Sequence, residues 1–300
     1  MSDQHAHQHD ARGFNGAFAV GIALNVGFVA VEAFYGWKAD SMALLADAGH
    51  NLSDVAGLVL AWAGTWAAGL RPDSRHTYGW KRASILAAFS NAILLLVAMG
   101  SLAWEAAHRL TETPSVDGPT VMLVAGIGIV INAVTALLFM KGSEHDLNLR
   151  GAFLHMTADA LVSFGVVIAG GLYGWIGWSW IDPVVVLLIA AVVVVGTARL
   201  FRQSLHLLFD GVPDGIDLAE VQTVLQTIPG VVQVYDLHVW ATGTSQIALT
   251  AHLVMPAGQT DDAALEVAAE RLRDQFRIDH YTLQVVRTPR STSCTPQSAR

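Results

Sequence analysis

The sequence predicts a membrane protein in two parts, an all-α domain of six transmembrane helices followed by a small α+β domain. Three observations predict it. Of the 300 residues, 53% are apolar and only 14% charged, where a soluble domain carries about 25% charged residues. The apolar runs fill residues 14–206, and the charges gather in short breaks and after Asp210. Beyond Val212-Pro213 the pattern changes to short amphipathic stretches separated by turn residues.

A helix needs about 20 apolar residues to cross about 30 Å of hydrocarbon. Six segments qualify: 14–37, 41–68, 83–109, 119–140, 149–175 and 181–205. Breakers stand between them, among them Arg71-Pro72-Asp73, Pro114, Pro119 and Asp182-Pro183. Glycines such as Gly57, Gly64, Gly126, Gly128, Gly165 and Gly170 stud the spans, as close helix packing in lipid favours. With the N-terminus inside, the inner face carries Arg12, Arg71, Arg75, Lys81, Arg82, Lys141, Arg150, Arg199 and Arg202, against Lys38 and Arg109 outside. That bias places both termini in the cytoplasm. The expected domains are a His-containing flexible tail at 1–13 (His5, His7 and His9), the six-helix domain at 14–206, the cytoplasmic domain at 207–288 and a flexible tail at 289–300.

In the cytoplasmic part, 217–228 reads as a helix with Asp217 as N-cap. Strands are expected over 231–240, 247–255 and 280–287, and a second helix over 261–276. The order α-β-β-α-β fits a ferredoxin-like α+β domain.

Charge and cysteine content narrow the function. The formal net charge is -8, and from Leu207 onward eleven acidic residues face six basic ones. An acidic surface concentrates cations and argues against nucleic acid as a partner. The single cysteine, Cys294, excludes an intrachain disulfide or a thiolate metal cluster.

Ionisable groups at membrane depth cost at least about 2.5–3.5 kcal/mol each, so each needs a reason. The second span reads Leu45-Ala46-Asp47-Ala48-Gly49-His50-Asn51-Leu52-Ser53-Asp54, and the fifth reads His155-Met156-Thr157-Ala158-Asp159. In both, His and Asp stand four apart, on one helix face. Two such faces meeting across an interface offer two imidazole nitrogens and two carboxylate oxygens, a set that suits tetrahedral Zn²⁺. Two independent polar pairs acting as hydrogen-bond glue would need the same spacing twice by coincidence. Asp47 falls on another face and reads as a residue supporting the ligands or as part of the path to the site. Asn25, Glu32, Asn91, Glu105 and Asn132 read as interhelical ties.

These stretches resemble the cation diffusion facilitator family, and within it the zinc-transporting branch. The likeness runs from about residue 13 to 287. It is carried by Ser41 to Asp54, Tyr78-Gly79-Trp80-Lys81-Arg82, His155 to Asp159, and Asp236-Leu237-His238-Val239-Trp240. The resemblance implies a homodimer, in a bacterial inner membrane, that exchanges Zn²⁺ (or Cd²⁺ or Co²⁺) for protons through His50, Asp54, His155 and Asp159. It also implies zinc at the cytoplasmic domain, where His252 matches one ligand. Tyr235, Gln284 and Val286 stand where other members carry ligands. A reduced site on His238, His252 and His280 is therefore expected. In the loop after the second span, Asp73 and His76 match two ligands of a further site, with Trp80 in place of the third. A weak site is expected there. No His-Glu-x-x-His motif occurs, and four protein ligands leave no open position for activated water, so a carrier and not an enzyme is expected.

Overall fold

In a computed structural model of the chain, the described residues are 4–38, 42–110, 118–144, 146–176, 181–256 and 262–288. They divide into two compact units, Met1–Ser204 and Leu205–Arg300.

Six helices occupy the first part: α1 Gln4–Lys38, α2 Met42–Ala68, α3 Arg82–Arg109, α4 Gly118–Met140, α5 Leu147–Ile176 and α6 Ile181–Leu208. Each exceeds the length a bilayer crossing needs. Pro183 lies in the first turn of α6, where its missing N–H costs no helical bond. The α2–α3 connection turns at Gly79, whose φ of +70° a side chain rarely adopts. Residues 4–13, expected as a flexible tail, instead continue the backbone of α1. Ala6, Gln8, Ala11 and Arg12 favour helix, and once the span has nucleated a helix each added residue costs little. The side chains of His5, His7 and His9 lie outside the described residues, as do residues 289–300.

The burial pattern is that of a protein solvated by lipid. Val97, Trp104, Val192 and Val195 point outward, whereas Asn25, Glu32, Asn91 and Asn132 are buried. Phe18 of α1 packs on Phe139 of α4 with ring centroids 5.0 Å apart. Leu58 of α2 and Leu149 and Met156 of α5 complete that core. On the other side of α5, Ala158 joins Leu95 and Met99 of α3 and Val193 of α6. Polar groups tie the helices: Asn25 Nδ2 donates to Thr135 Oγ1 at 3.3 Å, and Asn51 Nδ2 to Glu32 Oε2 at 2.7 Å. Asn148 Nδ2 donates to the Ser84 carbonyl at 3.1 Å, so α3 and α5 begin at the same end of the bundle.

The second part contains α7 Leu218–Gln226, β1 Gln233–Gly243, β2 Gln246–Val254, α8 Asp262–Phe276 and β3 Ile278–Val286. This is the ferredoxin-like order the sequence predicts. Asp217 caps α7 by accepting from the Ala219 N–H at 2.8 Å. The sheet runs β1-β2-β3, with β1 antiparallel to β2 and β3 parallel to it, the parallel step being crossed by α8. Val221, Leu225, Leu249, Leu253, Leu272 and Ile278 form its core.

Candidate metal centre

Helices α2 and α5 place three ionisable groups in one pocket. Asp54 comes from α2, and His155 and Asp159 from consecutive turns of α5. His155 Nε2 stands 2.8 Å from Asp54 Oδ1 and 3.5 Å from Asp159 Oδ2. One ligand atom from each of the three lies within 4.8 Å of the others. Ligands around tetrahedral zinc, at bond lengths of about 2.0–2.1 Å, stand roughly 3.3 Å apart. The two separations from His155 bracket that value, and the two carboxylates lie within 4.8 Å of each other.

The pocket is dry. Asp54, His155 and Asp159 are 4%, 6% and 8% exposed. His155 Nε2–H donates to Asp54 Oδ1, and Nδ1 has no hydrogen-bond partner among the described residues. The proton in that bond lies between two of the atoms that would bind a metal. His50 sits on α2, four residues before Asp54. Its side chain lies outside the described residues, as does that of Asp47.

The α2–α3 loop brings Asp73 and His76 together. Asp73 Oδ1 accepts from the backbone N–H groups of Arg75 at 2.7 Å and His76 at 2.6 Å. The His76 N–H and then the Arg75 N–H hold the Asp73 carboxyl below the usual carboxylate range. The His76 Nδ1 stands 3.4 Å from Asp73, and its ring lies against Trp80 with centroids 4.2 Å apart. The pair is an exposed turn in which one carboxylate oxygen already has two backbone donors.

In the second unit the three expected histidines divide. Tyr235 pairs with His252, but His238 pairs with Thr250, because β1 carries one extra residue between them. Asp236 stands in that bulge with φ of +52°. Its two oxygens reach His238 Nε2 at 3.1 Å and His252 Nδ1 at 3.3 Å. His280 does not join them. It pairs with Ala248, four residues along β2 from His252, roughly 13 Å away at strand rise. The residue that sequence reasoning missed is Asp236. Its signal was an acidic residue inside a strand, a position where Asp is depleted unless the strand bulges.

Comparison with known proteins agrees with this architecture. Residues 18–209 match the cation efflux transmembrane domain, and residues 213–286 match the cytoplasmic domain of cation efflux proteins. The zinc transporter ZitB of Escherichia coli is 36% identical over 298 residues, covering 96% of this chain and 94% of ZitB. The metal cation efflux system protein CzcD of Cupriavidus metallidurans is 33% identical over 290 residues, covering 96% and 92%. A cadmium, cobalt and zinc/H(+)-K(+) antiporter of Bacillus subtilis is 31% identical over 283 residues, covering 93% and 91%. With its helical domain matched almost from end to end, the chain belongs to the cation efflux family, the cation diffusion facilitators.

Proposed function

We propose that this protein exports a divalent metal ion, Zn²⁺ before Cd²⁺ or Co²⁺, from the cytoplasm in exchange for protons, as a homodimer. The observation that carries the reading is the buried Asp54–His155–Asp159 triad, whose ligand atoms already approach tetrahedral spacing. His50, one turn before Asp54 on α2, supplies the fourth ligand in this reading. Two nitrogens and two oxygens suit borderline-soft zinc better than harder manganese. Relatives named as a zinc transporter and as a cadmium, cobalt and zinc antiporter support the same cargo.

Exchange follows from the hydrogen bond inside the triad. An imidazole nitrogen binds metal only without its proton, and the His155 proton stands between His155 and Asp54. Metal arriving at the site expels it, and protonation on the far side expels the metal. Both termini face the cytoplasm in this reading, as the nine basic residues on one side of the spans argue. Its bacterial relatives support an inner-membrane location. The cluster of Asp236, His238 and His252 is a second, weaker metal site in this reading, and Asp73 with His76 a weaker one still.

The test is zinc-dependent proton movement in proteoliposomes. Wild-type protein is expected to move protons against zinc, and His50→Ala to lose the coupled exchange. Unchanged antiport in His50→Ala would sink the four-ligand site.

A further inference from the structure

The Asn91 amide fills the space immediately beside the triad, on the side of the bundle that carries the α2–α3 loop. Three helices meet there. Gly57 on α2 is one turn from Asp54, Gly151 on α5 is one turn from His155, and Asn91 of α3 lies between them. A Cβ at Gly57 would stand 2.9 Å from Asn91 Oδ1 and 3.9 Å from His155 Cε1. A Cβ at Gly151 would stand 2.8 Å from Asn91 Nδ2 and 3.4 Å from Leu200. Both contacts are closer than real Cβ atoms tolerate, so the two glycines are what lets the amide enter.

The amide is also incompletely satisfied. Asn91 is 2% exposed, and its Oδ1 has no hydrogen-bond partner among the described residues. A buried acceptor without a donor is costly, and a fold keeps one where function requires it. Resting on the proposal that the triad is the transport site, we propose that Asn91 is the gate residue on the loop side of that site. Its amide closes the route between α2 and α5, and when the helices part its oxygen is offered to the passing ion before His155 and Asp54 take over. Amide carbonyl oxygens are ordinary ligands of divalent cations. An ion leaving water for this pocket needs such a donor at the step where its hydration shell is stripped. Asn148 lies further along the same side, with its own buried Oδ1 also without a partner among the described residues. The unmet oxygens thus extend from the loop end of α5 toward the triad.

The inference is tested in full-length protein with three variants measured for zinc binding at equilibrium, melting temperature and zinc flux in proteoliposomes. Asn91→Leu keeps the branched shape and removes the oxygen. It is expected to bind zinc within about threefold of wild type while its maximal flux falls about tenfold or more, the signature of a lost passage step and not a lost site. Asn91→Asp restores an oxygen and is expected to recover flux relative to Asn91→Leu. Wild-type flux in Asn91→Leu overturns the gate, and so does an Asn91→Asp variant as slow as Asn91→Leu. Loss of binding, melting temperature and flux together in both variants overturns it too, because that is the behaviour of a packing residue. His155→Ala separates the two readings. If it still binds and carries zinc, the triad is not the transport site, whatever the Asn91 variants do.

Discussion

Two regions of this molecule use the same donors in opposite surroundings. In the bundle, Asp54 and Asp159 flank His155 at 2.8 and 3.5 Å, with all three side chains 9% exposed or less. On the sheet, Asp236 reaches His238 and His252 at 3.1 and 3.3 Å, with side-chain exposures of 19%, 44% and 25%. Contact distances barely distinguish the two, so chemistry of the donors alone does not decide their roles. Solvent does. Charges in a dry pocket interact several-fold more strongly than charges near water, and a dry pocket exchanges one cation for another without leaving a charge uncompensated. The exposed cluster screens its charges with water and sustains a bound or an empty state at little cost. In the proposed function, the site that swaps its occupant at every cycle is for that reason the one in the bundle.

The largest effects should come from breaking the bundle site in two ways. His155→Ala removes the imidazole that stands between the Asp54 and Asp159 carboxylates. Its expected loss of stability is about 3–5 kcal/mol, as for one partner taken from a buried ion pair. Asp159→Asn neutralises one of the two carboxylates and preserves the His155–Asp54 hydrogen bond, so its melting temperature should stay near that of wild type. Both should lower zinc flux by roughly 100-fold or more, since both lose a direct ligand and even supporting residues are worth about 10–100-fold in metal affinity. Melting in detergent and flux in proteoliposomes check the pair. A fully active Asp159→Asn would remove the carboxylate from the site and leave the bundle cluster no different in kind from the one on the sheet.

The parts of this arrangement that could be read from sequence are those that depend on local periodicity. Four-residue spacing places His155 and Asp159 on one face of α5 whatever surrounds them, and their depth in an apolar span marks them as expensive. Asn91 looked like interhelical glue, because its contact with Gly57 and Gly151 exists only once three separate helices have packed. Asp236 was quoted in a matching stretch yet left out of the site. A one-residue bulge changes which side chains face each other, and bulges follow from pairing partners and not from one strand. The same reason misplaced His280, where a parallel register set by the α8 crossover puts it opposite Ala248. The start of α1 was read as a tail because its residues are polar, although none of them before Gly13 breaks a helix.

A smaller effect is expected at the sheet. Asn tolerates positive φ as Asp does, so Asp236→Asn keeps the bulge and removes only the shared carboxylate. Made in an Asp54→Asn background, which takes the bundle site out of the measurement, it should weaken the remaining zinc binding by about tenfold. Made alone, it should change flux by less than about threefold and stability by less than about 1 kcal/mol, as befits exposed charges. Equilibrium dialysis with zinc and the same flux assay read these outcomes. Unaltered binding in the double variant would mean that the cluster holds no metal. Collapse of flux in the single variant would mean that the sheet site drives transport and does not merely respond to zinc.

The smallest effect belongs to Asp73, which lies outside both regions and tests how little an exposed His–Asp pair needs to do. Its carboxyl is held below its ordinary range by the N–H groups of His76 and Arg75. A depressed carboxylate contributes to its turn above the unfolded pKa of about 3.9 and loses that contribution only as pH falls through the lower folded value. Hydrogen exchange at Arg75 and His76, corrected for intrinsic rates, should therefore show constant protection from about pH 5 to pH 8. Asp73→Ala should abolish that protection at every pH and leave the melting temperature and zinc flux unchanged. Added zinc discriminates turn from metal site, because an ion held by Asp73 and His76 would raise the protection of both amides in wild type and not in Asp73→Ala. Protection indifferent to zinc would leave the loop pair as a folded turn, and the comparison would then rest on the bundle and the sheet alone.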